Sequence, residues 1–237
     1  MMGDAFTHSN YADIIATVKE CGRSAVGVAA FFGEGKRNES VILRHDVDRW
    51  PEQAVRMARL EHKLGIASTY YFRCTRTGRF PERAMRAIAD SGHETGYHYE
   101  TLSTAAGNQV RALDLFKQNL ERFRRIAPCI TVSMHGSPLS RLNNEEMLTG
   151  IDLGKLGLIA DASLSFADTD VVYYTDAGGS WNAAPSLNVR DRISPSSHAA
   201  ASENPFGSDA FIRLLRDRVT PVYLSTHPER WACNTVN

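Results

Sequence analysis

The chain lacks the paired cysteines, the excess charge and the long apolar runs that mark several large classes of protein. Its four cysteines, Cys21, Cys74, Cys129 and Cys233, are scattered without the close spacing of zinc ribbons or redox motifs. The 27 basic and 27 acidic residues cancel, which argues against a general affinity for nucleic acid or anionic membrane surfaces. No run approaches the roughly 20 apolar residues of a membrane span. The N-terminus has no basic start followed by an apolar core, so we expect a cytoplasmic protein.

The chain does contain enough apolar residues to build one substantial core. Hydrophobic residues make up 43% of the sequence, and one α/β domain spanning residues 1–237 suits this length. Segments rich in β-branched and aromatic residues alternate with amphipathic segments of helical period. The alternation predicts strands at residues 41–48, 67–74, 93–98, 131–134, 156–160, 171–174 and 221–225. Helices are predicted between the first four strands and ahead of the last.

Strands that alternate with helices imply a parallel sheet in which the helices form the crossovers, as in a (β/α) barrel or a doubly wound fold. In a barrel of this kind the catalytic groups gather at the carboxyl ends of the strands. Polar side chains stand at or just beyond the predicted strand ends: Asp46, Asp48, Arg73, His98, His135 and His227. We therefore expect these residues to meet at one mouth of the fold.

Asp46 and Asp48 end an apolar run at a spacing of two residues, so on a strand both side chains lie on the same face. One carboxylate can then bind a cation while the other holds a proton. The alternative is a strand-ending turn in which the two residues cap the helix that begins near Pro51. By the same alternation His45 points away from the pair, and packs or forms hydrogen bonds behind it.

Neutral imidazole and carboxylate suit zinc and related divalent ions, and a catalytic site typically uses three protein ligands. Asp48 and His98 are the leading candidate ligands. A bound cation would lower the pKa of its water to about 7, Asp46 would take a proton from that water, and His227 would donate one to the leaving group. The pattern favours a metal-dependent hydrolase of an amide or ester. The alternative for each histidine is a structural role inside the fold.

Three motifs follow one another along the chain: Leu-Arg-His-Asp-Val-Asp at 43–48, Gly-His-Glu-Thr-Gly-Tyr-His at 92–98 and Leu-Ser-Thr-His at 224–227. They resemble the motifs of the NodB-type polysaccharide deacetylases, metal-dependent enzymes that remove acetyl groups from N-acetylated sugars. The resemblance implies an irregular (β/α) barrel in which Asp46 is the base and His227 the general acid. Asp48 and His98 would then hold the metal ion.

The family pattern also implies a second metal-binding histidine one helical turn after His98, and this chain has Leu102 there. His135, which follows a predicted strand, is the replacement we favour, and Glu100 is the other candidate. The alternatives are that His135 contacts the substrate instead and that the site has no third protein ligand. The segments Arg-His-Asp-Val-Asp, Gly-Tyr-His-Tyr-Glu, His-Gly-Ser-Pro and Thr-His-Pro-Glu-Arg-Trp resemble a subgroup found among bacterial surface-polysaccharide genes. We therefore expect an acylated sugar, or a precursor in surface-polysaccharide (O-antigen-like) assembly, as the substrate.

Three further residues are candidate substrate contacts. Arg73 can grip a carboxylate or phosphate through its planar guanidinium group, or it can pair with an acid of the site. Tyr99 and Trp181 can stack on a sugar ring, or close over apolar surface. Two other functions stay open: a carbohydrate-binding or regulatory barrel that has lost catalysis, and a hydrolase of a small non-sugar amide.

Overall fold

A computed structural model describes residues 6–33, 39–75, 77–136, 141–177, 208–217 and 220–231. The strands are β1 Ser24–Val26, β2 Ser40–Val47, β3 Thr69–Arg73, β4 Glu94–Tyr99, β5 Thr131–Met134, β6 Ala160–Asp161, β7 Val172–Thr175 and β8 Val222–Thr226. The α-helices are α1 His8–Glu20, α2 Val28–Gly33, α3 Pro51–Lys63, α4 Glu82–Asp90, α5 Thr101–Thr104, α6 Gln109–Arg124 and α7 Ser208–Asp217. Short 3₁₀ helices span Asn144–Met147, Leu153–Leu156, Leu164–Phe166 and Pro228–Arg230.

The strands form one parallel sheet that curls towards a barrel. Its order is β6-β5-β4-β3-β2-β8-β7, and β1 pairs with the beginning of β2. Ala160 of β6, at one edge, belongs to the same apolar cluster as Ile42 of β2 and Tyr223 of β8. The Tyr223 hydroxyl also donates a 2.9 Å hydrogen bond to the carbonyl of Ala162, just beyond β6. The inner faces of distant strands therefore meet, which confirms the prediction of an α/β fold built as an irregular (β/α) barrel.

Helices α1, α3, α4, α6 and α7 cover the outer face of this sheet, whereas Val28 and Phe31 of α2 pack with the inward-facing residues. One cluster joins α4 and α6 to β3, β4 and β5, and includes Tyr97 and Phe116, whose ring centroids are 5.6 Å apart. A second joins α1, α3 and α7 to β2, β7 and β8. Because Val41 and Leu43 belong to this outer cluster, the alternate residues of β2 must face inwards. Within the described ranges, every helix is too short or too polar to cross a lipid bilayer.

Most predicted strands are present within one or two residues, and the strand at residues 131–134 matches β5. The strand predicted at residues 156–160 is wrong in most of its length. Leu153–Leu156 is a 3₁₀ helix whose first turn is capped by the Asp152 side chain, 2.9 Å from the backbone nitrogen of Gly154. Gly157 then adopts a left-handed conformation with φ 65° and turns the chain, so only Ala160–Asp161 joins the sheet.

Candidate active site

Strand β2 carries polar side chains to both of its faces. Arg44 and Asp46 share the inner face with Ile42, whereas His45 lies on the outer face, as the strand alternation predicts. His45 Nε2 is 2.9 Å from Glu61 of α3, and its Nδ1 is 2.7 Å from the hydroxyl oxygen of Thr226. Both ring nitrogens of His45 therefore have partners, and the residue lies behind the site, as the alternation of the strand predicts.

Asp46, the predicted base, is held by an arginine on the same strand. Arg44 donates two hydrogen bonds to its carboxylate, of 2.8 and 2.6 Å, and a third of 2.6 Å to the hydroxyl of Ser133. Burial opposes ionisation of Asp46, but the Arg44 guanidinium outweighs it and keeps the pKa of Asp46 below its ordinary value. Asp46 is thus an ionised carboxylate with a fixed direction, able to accept a proton.

Three of the predicted residues converge beside Asp46. Asp48, His98 and His135 each offer one ligand atom, and these atoms all lie within 4.8 Å of one another. His98 Nε2 is 3.6 Å from one Asp48 oxygen, and His135 Nε2 is 3.4 Å from the other. The three residues come from the carboxyl ends of β2, β4 and β5. These ends lie at one edge of the sheet, because β3 pairs with both β2 and β4, and β4 pairs with β5, all in parallel. The fold therefore brings His135 next to Asp48 and His98.

The chemistry of these donor atoms suits a cation. His98 Nδ1 is 3.1 Å from the carbonyl oxygen of Ser133, which assigns the proton to Nδ1 and leaves a lone pair on Nε2. Burial lowers the pKa of His98 to about 4, so its ring is neutral at pH 7. One oxygen of Asp48 is buried without a hydrogen-bond donor among the described residues. A lone pair and a carboxylate that face each other need a proton or a positive ion between them, and the residues present therefore fit a divalent metal.

The ring of His135 lies between two acidic side chains. Burial disfavours its protonated form, but the carboxylates of Asp48 and Glu100 outweigh burial and raise the pKa of His135 to about 9. A metal ion that takes a lone pair of this imidazole must displace the proton.

His227, the predicted acid, is held by a carboxylate that sequence reasoning missed. Its Nδ1 is 2.6 Å from Asp176, and its backbone N–H donates to the same carboxylate. The indole N–H of Trp231 donates to Asp176 as well, at 2.8 Å. Asp176 follows β7 as Asp46 ends β2, so the rule that polar residues gather at strand ends could have identified it. A carboxylate on Nδ1 fixes the tautomer of His227 and stabilises its protonated form.

The remaining predicted contacts have different outcomes. Arg73 binds Glu100, with its Nη2 2.8 Å from both carboxylate oxygens, so the pairing alternative describes its state in this structure. The stacking role of Tyr99 is wrong: the residue is completely buried, and its hydroxyl donates to Asp161 at 2.9 Å. Alternation on β4 explains the error, because His98 faces inwards and Tyr99 must then face the helices. Trp181 lies outside the described residues.

Position 102 holds no ligand. Leu102 lies on α5 and is packed into the outer apolar core, with 1% of its surface exposed. The departure from the family pattern is therefore structural as well as chemical, because this side chain points away from the candidate ligands and towards the core.

No protein-family model and no curated protein matches the sequence. A similar solved structure is a mutant of a CE4 family pseudoenzyme with restored enzymatic activity, at 13% identity and a TM-score of 0.41. The match covers 79% of this chain, which spans 56% of that neighbour.

Proposed function

We propose that the protein is a metal-dependent hydrolase that removes an acyl group, in the first instance acetyl, from an N-acylated sugar. The observation that carries the proposal is the convergence of Asp48, His98 and His135 within 4.8 Å of one another, beside the ionised Asp46. The distance from His98 Nε2 to Asp46 is 3.7 Å, so the predicted base and the predicted ligands belong to one site.

Asp48, His98 and His135 would hold the metal. We propose zinc, because two imidazoles and one carboxylate form a typical catalytic zinc set that leaves a coordination position for water or substrate. When bound, such an ion polarises the acyl carbonyl and lowers the pKa of a water molecule. Cobalt, nickel and iron accept the same ligands, and availability in the cell selects among them.

The protein's own groups then move the protons. Asp46, held in place by Arg44, accepts a proton from the water whose oxygen attacks the acyl carbon. His227 donates a proton to the departing nitrogen, and Asp176 stabilises the imidazolium before that donation. The C–N bond breaks, and the products are a free amine on the sugar and a carboxylate. The choice of a sugar, and of surface-polysaccharide assembly as its setting, is supported by the sequence motifs.

The test is acetate release from a panel of N-acetylated monosaccharides, nucleotide sugars and small non-sugar amides by zinc-loaded protein. Asp46→Asn should lower kcat by about 100-fold or more, the usual contribution of a general base, while zinc content is unchanged. Asp90→Asn, an exposed aspartate at the end of α4, is the matched control and should match the wild type.

Two outcomes would contradict the proposal. A protein that takes up zinc but releases acid from no member of the panel would be better described as a binding barrel. Hydrolysis that survives in full in Asp46→Asn would remove Asp46 from the role of base.

A further inference from the structure

We propose that Glu100, held by Arg73, is a positioning residue. It aligns the ring of His135, so that His135 takes the place of the metal ligand that is absent at position 102. This inference rests on the metal site of the proposed function. It goes beyond that site by assigning a role to a carboxylate and an arginine that lie outside the three candidate ligands.

The first observation is that the His135 ring lies between two carboxylates. Its Nδ1 is 3.3 Å from a Glu100 oxygen, and its Nε2 is 3.4 Å from Asp48. A neutral imidazole has one N–H and one lone pair. If Nδ1–H points to Glu100, the lone pair on Nε2 must point to Asp48 and to the place a metal would take.

The second observation is a difference between the two histidines. His98 lies within β4, is 2% exposed, and has the backbone carbonyl of Ser133 as the partner of its Nδ1. His135 follows the end of β5. Its backbone is fixed, since its N–H donates to Tyr99 at 2.7 Å and its carbonyl accepts from Asn144 at 2.9 Å. Among the described residues, Glu100 approaches its ring Nδ1 at 3.3 Å, and this buried nitrogen makes no hydrogen bond with any of them in this arrangement of the ring.

The third observation is that Glu100 itself is held in place. It directly follows β4, and both its oxygens accept from Nη2 of Arg73 at 2.8 Å. The second terminal nitrogen of Arg73 is 3.9 Å from Asp48. The arginine therefore offsets the charge that Glu100 adds next to the site, and keeps its carboxylate directed at His135.

The same distances argue against Glu100 as a direct ligand. It approaches His135 on Nδ1, the nitrogen on the opposite side of the ring from Asp48. It does not belong to the group whose ligand atoms lie within 4.8 Å of one another. Glu100 is thus behind the ligand, where a carboxylate that accepts the second N–H of a metal-binding histidine usually lies.

The experiment measures zinc affinity of the full chain by competition with a chelator, without reference to turnover. Glu100→Ala should weaken zinc binding about 10- to 100-fold at an unchanged stoichiometry, the usual cost of removing such a partner. Glu100→Gln keeps an acceptor for the N–H, so its zinc affinity should lie between those of the wild type and Glu100→Ala. Glu82→Ala, an exposed glutamate on α4, is the matched control. Circular dichroism of the metal-free variants checks that each one folds.

X-ray absorption of the zinc-loaded proteins supplies a second measurement, the number of imidazoles on the metal. Two imidazoles are expected in the wild type and in Glu100→Ala, and one in His135→Ala. Wild-type affinity in Glu100→Ala, with loss of affinity in His135→Ala, would overturn the positioning role and leave the metal site standing. A single imidazole in the wild type would overturn it too. A wild type that takes up no zinc would instead remove the proposed function itself.

Discussion

Two polar clusters lie on opposite faces of β2, and they use the same kinds of residue for different ends. The outer cluster consists of His45, Glu61 and the hydroxyl residues around them, and the mouth cluster consists of Asp46, Asp48, His98 and His135. In the outer cluster, Glu61 accepts from Ser68 at 2.6 Å, from Tyr70 at 2.7 Å and from Tyr11, and lies 2.9 Å from His45 Nε2. In the mouth cluster, an Asp48 oxygen is buried without a donor among the described residues.

The difference teaches that composition alone does not identify a functional site. A buried carboxylate whose acceptor positions are filled from within the protein stabilises the fold, because every polar group has a partner. A carboxylate such as Asp48, with one buried oxygen that accepts no hydrogen bond and two imidazole nitrogens facing it, is stabilised by the addition of a proton or a metal ion. The balance of donors and acceptors therefore separates the structural histidine, His45, from the candidate ligands.

The largest effect is expected from breaking the outer cluster. Glu61→Ala leaves His45 and the hydroxyls of Tyr11, Ser68 and Tyr70 without their shared acceptor, and should lower the free energy of unfolding by about 3–5 kcal/mol. Urea denaturation of the metal-free protein measures this. Glu82→Ala on the surface of α4 should change stability by no more than about 0.5 kcal/mol. Equal stability of the two variants would show that the outer cluster is not structural.

The pH dependence of the free energy of unfolding tests the structural role of the outer cluster in a second way. Burial disfavours the ionised form of Glu61, but His45 outweighs it and lowers the pKa of Glu61 from 4.5 to about 2. Because the folded pKa is below the unfolded one, the stabilisation is complete above pH 4.5 and is lost as the pH falls towards 2. The free energy difference between wild type and Glu61→Gln should therefore shrink in acid, by on the order of 3 kcal/mol in total. A difference that stays constant from pH 7 to pH 3 would contradict this reasoning.

Local sequence patterns predicted much of this contrast. Alternation along β2 was enough to separate His45 from Asp46, and strand ends were enough to gather Asp48, His98 and His135. Alternation also places Arg44 beside Asp46, and applied to β4 it would have moved Tyr99 away from the site. These features depend on the period of a strand and need no knowledge of packing.

The partners across the fold could not be predicted in the same way. Glu61 is 16 residues from His45, and Asp176 is 51 residues from His227. Which helix turn or strand end meets each histidine depends on how the elements pack. Glu100 shows the same limit, since the sequence offered it as a candidate ligand, whereas in the structure it lies 3.3 Å from His135 Nδ1, the ring nitrogen that does not face Asp48.

The smallest of these effects on stability is expected when zinc binds to the mouth cluster. Zinc at 100 times its dissociation constant should raise the free energy of unfolding by about 2.7 kcal/mol if it binds only the folded state. Asp48→Asn should lose this gain, because the ligand charge between His98 and His135 is gone. Glu61→Gln should keep it, because Glu61 lies on α3, which packs against the other face of β2. Chemical denaturation with zinc or with a chelator measures this gain in the wild type and in both variants. If Glu61→Gln loses the gain and Asp48→Asn keeps it, the roles assigned to the two clusters are reversed.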